Sequence, residues 1–182
     1  MRTRKIILTG LFAALTAIGA FIRIPTPISS FTLQVFFTCM AGLLLGPGLG
    51  AASQAVYVLL GLVGLPIFTQ GGGFSYVTQT TFGFLLGLIP AAWVAGMIAR
   101  RGTASFWRLL LACLAGTAAV YVIGLPYMHC ILRFYLNKTW SIQQTLMGGM
   151  VIFLPWDVLK AIVASLLAKK LLPTLHKAGL QY

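Results

Sequence analysis

A single acidic side chain occurs among 182 residues, and it lies in an apolar run, Phe153-Leu-Pro-Trp-Asp-Val-Leu-Lys160. Positions i and i+3 share a face of a helix, so Asp157 and Lys160 stand side by side if this run is helical. A carboxylate at the centre of a bilayer costs about 2.5–3.5 kcal/mol even on lenient scales, so an ionisable residue in a span marks a functional site by default. Its oxygens accept N–H groups, while an ammonium donates to carbonyl or carboxylate oxygen. Together they complement a ligand that offers cyclic N–H and C=O groups beside an apolar body. Two other roles stay open: a structural ion pair that fixes the helix, and a proton relay through Asp157. Pro155, just upstream, removes one helical N–H and can open or kink the turn.

The rest of the chain offers little other chemistry. There is no G-x-x-x-x-G-K-S/T run, so no phosphate-cradling loop is encoded. There is also no H-E-x-x-H, nucleophile elbow or Cys/His cluster, and His129 and His176 stand far apart. Cys39, Cys113 and Cys130 lack metal-ligand spacing and read as small core hydrophobes. No enzyme, resident metal or cofactor is expected; a binding or transport protein is.

Composition sets the class. Hydrophobic residues make up 59% of the chain and charged residues 8%, against about 25% charged in ordinary soluble domains. Such a chain cannot cover a water-facing surface, and a single integral-membrane domain over 1–182 is expected. The formal charge of +12 reads as a topology signal rather than a nucleic-acid footprint. A basic-then-apolar start resembles a leader, but its apolar run is long enough to span and reads as the first helix.

Apolar runs separated by Pro, Gly and cationic breaks predict an all-α bundle with six membrane-spanning helices at about 6–22, 32–45, 50–63, 77–98, 106–123 and 146–172. Gly46-Pro-Gly-Leu-Gly50 is a tight turn, and Gly124-Leu-Pro126 is taken to end the fifth helix. The stretch 127–145 is expected to be partly helical and interfacial. With the N-terminus inside, nine Lys and Arg fall in cytoplasmic segments, three fall outside and Lys160 stays in the membrane. That asymmetry puts both termini in the cytoplasm. Asp157 then sits about eleven residues, or roughly 16 Å, into the last helix from its external end. Ala13 and Ala17 form a small-xxx-small pair suited to close helix approach, within the bundle or against a partner. No internal repeat is visible.

These residues also carry a resemblance. Pro25-Thr-Pro27 with Thr32-Leu-Gln34, Gly42 to Gly50, Ser53 and Tyr57, Gly61-Leu-Val-Gly-Leu-Pro-Ile-Phe68 with Gly71-Gly72-Gly73, Tyr121 with Gly124-Leu-Pro-Tyr127, and Phe153 to Ala161 resemble the BioY family in order along nearly the whole chain. These are substrate-binding S components of energy-coupling factor (ECF) transporters for biotin. The resemblance implies the six-helix S-component fold in a bacterial or archaeal plasma membrane, with biotin captured from outside and released inward. It implies a transmembrane T subunit and two cytoplasmic ATPases as partners, with Ala13 and Ala17 contacting the T subunit. Asp157 and Lys160 inherit a place in the biotin pocket, joined by Gln34, Gly71, Gly72, Gly73, Tyr76 and Phe84. Where the family shows a G-P-T-G-G-Y-like run, this chain has Gln79-Thr-Thr-Phe-Gly-Phe84, and Gln79 supplies an amide for the ureido group. Trp156 replaces a usual glycine and either stacks on the ligand or narrows the pocket. Two alternatives stand beside this reading: a solitary proton-coupled transporter, and an S component for another vitamin.

Overall fold

The computed structural model describes residues 2–25 and 30–177. Thr26, Pro27 and Ser29 lie outside them. α1 (Arg2–Phe21) leads through a two-stranded antiparallel hairpin, β1 (Arg23–Pro25) and β2 (Ser30–Thr32), into α2 (Gln34–Leu45). α3 (Pro47–Val63) follows at once. A loop with one 3-10 turn, Phe74–Thr78, precedes α4 (Phe82–Ala99) and α5 (Phe106–Cys130). The wide π turn Ile131–Tyr135 continues α5. The last rod is α6 (Ile142–Leu146), a second π turn at Met147–Val151 and α7 (Leu154–Lys177).

Four rods are long and apolar enough to cross a membrane: Thr3–Phe21, Phe82–Ala99, Phe106–Tyr135 and Ile142–Lys177. α2 and α3, at 12 and 17 residues, extend only about 18 and 25 Å, short of the ~30 Å hydrocarbon core. Of the six membrane-spanning helices expected, four among the described residues have the length of a span.

Several ends differ from the sequence-based expectation, each for a local reason. α5 does not stop at Ile123. Gly124 lets the helix lie against Phe84, whose Cδ1 would be 2.4 Å from an added Cβ, and Pro126 is carried inside the helix, as apolar bundles allow. α4 begins at Phe82, because 74–78 forms a separate turn. The last rod begins at Ile142 rather than 146, where Ser141 and Gln144 form a reciprocal capping box,. Pro155 falls in the first turn of α7, where no intrahelical N–H bond is lost.

α2, α3 and α4 meet through backbone. A Cβ on Gly42 would stand 2.4 Å from the Ala92 carbonyl oxygen. Gly46, at φ 85°, turns α2 into α3, and Pro47 starts the next helix. Arg100, after α4, closes this corner by donating from Nη2 to the Leu45 carbonyl at 3.0 Å. Leu8 and Phe12 of α1, Leu43 to Leu45, Leu109, and the Ala161, Ala164, Ala168 face of α7 form the core at this end. A second cluster, around Ala13, Tyr57, Phe68, Phe82, Leu88 and Val120, supports the opposite end. Outward faces carry Ile7, Leu11, Leu59, Val63, Val122 and Leu166 in the open. A surface so apolar is covered by lipid, and the chain is a multi-pass membrane protein.

Candidate functional site

Asp157 lies in the first turn of α7, where the positive end of the helix dipole favours an anion. Its residue is only 6% exposed. The expected same-face pairing is present: Lys160 Nζ is 2.5 Å from Asp157 Oδ1. Lys160 also donates to the Thr32 carbonyl at 3.0 Å, which ties α7 to the hairpin. The Tyr121 hydroxyl of α5 donates to the other carboxylate oxygen, Oδ2.

These groups floor a cavity of about 90 Å³ between the hairpin, the 65–78 loop, α2, α4, α5 and the last rod. Its polar lining is Thr32, Gln34, Thr69, Tyr76, Thr81, Thr117, Tyr121, Asp157 and Lys160. Its apolar lining includes Phe84, Leu85, Leu88, Val120 and Phe153. Gln34 is held on two sides: its Nε2 donates to the Tyr57 hydroxyl at 2.9 Å, and its Oε1 accepts from Thr32 Oγ1 at 3.0 Å. Thr69 Oγ1 and the Tyr76 hydroxyl share a hydrogen bond of 2.9 Å. Arg23 reaches across from the hairpin to the Thr69 carbonyl. The two loops over the cavity are therefore tied to each other and to α7.

Of the residues singled out in the sequence, Asp157, Lys160, Gln34, Tyr76 and Phe84 come together here. The others do not line the cavity. Gly71 and Gly73, at φ 113° and 103°, shape the loop, and Gly73 N donates to the Gly61 carbonyl at 2.7 Å. Gly72 packs on Leu65, whose carbonyl oxygen would be 2.0 Å from an added Cβ. This glycine run folds the loop that carries Thr69 and Tyr76 inward. Gln79 is exposed ahead of α4, and Thr81 takes the cavity position instead. Trp156 is 49% exposed and lines a lateral groove with Phe31, Phe36, Leu159 and Val163. Consecutive helical residues point about 100° apart, so Trp156 cannot share the direction of Asp157. Its ring neighbours Phe31, 6.0 Å away.

Ala13 is 4% exposed and packs inside the bundle with Tyr57 and Val58, and Ala17 lies against the same cluster. Both contact neighbours within the chain, Ala13 buried and Ala17 half-buried. The exposed side of α1 carries a second small pair at the same spacing, Gly10 and Ala14. Sequence reading also left Thr69, Thr117 and Tyr121 out of the site. Thr117 and Tyr121 stand four apart, on one face of an apolar helix, and that polar pair was the available signal.

The bundle and its end-on cavity define the class of protein. The fold matches that of the S-component for biotin from an ECF-type ABC transporter, with a TM-score of 0.81, 23% sequence identity, and coverage of 93% of this chain and 91% of that one. The chain belongs to the BioY family, whose model matches residues 1–177. It is 42% identical to the probable biotin transporter BioY of Lysinibacillus sphaericus, over 97% of this chain and 90% of that protein. It is 37% identical to the biotin transporter BioY of Thermotoga maritima, over 92% and 95% of the two chains. The family is one of transporters, so the chain is a transporter rather than an enzyme.

Proposed function

We propose that this protein binds biotin at the Asp157–Lys160 site and carries it into the cell. The observation that carries the reading is the pairing of a buried carboxylate and ammonium side by side in an otherwise mostly apolar cavity. Each edge of a cyclic urea presents an N–H beside a C=O. Asp157 accepts the first, and Lys160, with one of its three N–H groups not committed to Asp157 or Thr32, donates to the second. Phe84, Leu85, Leu88 and Phe153 face the apolar part of the bicycle. The relatives named as biotin transporters support the choice among ligands of this shape.

The cavity is smaller than the ~300 Å³ lower range of small-molecule pockets, so admitting the ligand requires the walls to part. The movable walls are the hairpin and the 65–78 loop, tied through Arg23 to Thr69 and through Lys160 to Thr32. Uptake is driven by an ECF module of a T subunit and two ATPases in a bacterial or archaeal plasma membrane. The T subunit docks on α1, where Gly10 and Ala14 are exposed beside the half-buried Ala17.

Titration calorimetry of the detergent-purified protein tests the reading. Saturable heat with biotin at micromolar concentration is expected. No heat with biotin, or equal competition from an unrelated vitamin, overturns it.

A further inference from the structure

Asp157 stands in a wall with two different sides. On one side is the cavity. On the other is a lateral groove of about 830 Å³ between α5 and the last rod, lined by Leu114, Val122, Leu125, Met150, Leu154 and Val158. Thr117, Tyr121 and Asp157 border both spaces. In a bilayer the groove fills with hydrocarbon, which supplies no hydrogen-bond donor to a carboxylate oxygen.

The two oxygens of Asp157 are served differently. Oδ1 takes the Lys160 ammonium, and Oδ2 takes the Tyr121 hydroxyl. Among the described residues no other side chain donates to Oδ2. The adjacent hydroxyl of Thr117 is committed to the Cys113 carbonyl at 3.0 Å. Among the described residues, Lys160 on α7 and Tyr121 on α5 are the titratable side chains bonded to the Asp157 carboxylate.

We infer that Tyr121 is a positioning residue for ligand recognition: its hydroxyl holds the Asp157 carboxylate in the orientation that accepts ligand N–H, and shields Oδ2 from the lipid-filled groove. Without it, Oδ2 has no donor on its groove side, and the carboxylate turns toward Lys160, withdrawing the lone pairs offered to the cavity. The ring plays a separate part. It meets Phe84 edge-on, with centroids 6.4 Å apart, and a phenylalanine keeps that contact. The inference rests on the biotin reading for its affinity arm only.

Tyr121→Phe, Asp157→Asn and the double variant test it in two ways. Charge-assisted hydrogen bonds are the strong ones, so Tyr121→Phe is expected to weaken biotin binding roughly 10- to 100-fold. In the Asp157→Asn background the same change is expected to cost almost nothing, because it acts through that carboxylate. The second arm needs no ligand. The chain has one Asp or Glu side chain, so the infrared carboxylate stretch lost in Asp157→Asn belongs to Asp157, apart from the chain terminus. That band is expected to shift in Tyr121→Phe. An unshifted band, or an affinity loss that adds fully to that of Asp157→Asn, overturns the role given to Tyr121. Failure of the unmodified protein to bind biotin overturns the functional reading instead, and the band still decides for Tyr121.

Discussion

Two buried polar groups in this bundle make a useful contrast. One joins α1, α2 and α3 through the Gln54 amide, which bonds Thr38 at 2.9 Å, Ser53 at 3.0 Å and Thr16 at 3.2–3.3 Å. The hydroxyls of Thr16 and Ser53 also donate to the Phe12 and Gly50 carbonyls. All four side chains are fully buried and neutral, and none lines the cavity. The other group is Tyr121, Asp157 and Lys160, which carries charge, faces a void and keeps unspent hydrogen-bonding capacity. The first is closed on itself and joins helices. The second is open on one side, and that opening is what a ligand can use. Burial of polar groups alone therefore does not mark a site; burial with capacity to spare does.

Breaking each group in turn separates these roles. Lys160→Met should have the largest effect, since it leaves a buried carboxylate without its counter-charge. The expected loss is about 3–5 kcal/mol of stability, read by thermal unfolding in detergent, with most of it recovered in the Lys160→Met/Asp157→Leu double variant. Gln54→Leu should cost about 1–3 kcal/mol by stranding the buried Thr38 hydroxyl,, while biotin affinity stays within about twofold of the unmodified protein once the variant is folded. A matching loss of affinity would erase the distinction between the two groups. Trp156→Ala should do least. Its ring faces the lateral groove, so calorimetric affinity should change by no more than about twofold, whereas a ring stacked on the ligand would cost far more.

The contrast also shows what could be read from sequence. Asp157 and Lys160 were legible because an acid and a base three apart in an apolar run can only be explained together. Trp156, expected to stack on the ligand or narrow the pocket, does neither in this structure, because neighbouring helical residues point about 100° apart and its ring enters the lateral groove,. Thr69 reaches the cavity only when the 65–78 loop folds over the bundle, and no local pattern announces that, whereas Tyr121 is signalled only by its spacing of four from Thr117 in an apolar helix,. The rods themselves followed from apolar run length. Their ends did not, because Gly124 and Pro126 act as packing residues in α5, whereas in a water-soluble helix the same residues would mark a stop.

One feature of α7 bears on the energetics of crossing. Its acid and its ammonium are held together at 2.5 Å, so the site is a dipole with no net charge. A membrane potential of 100 mV does about 2.3 kcal/mol of work on each elementary charge that traverses it. A site whose charges cancel can change the side it faces without acting as a voltage sensor. The electrical work of the transport cycle then falls on the charge carried by the ligand itself.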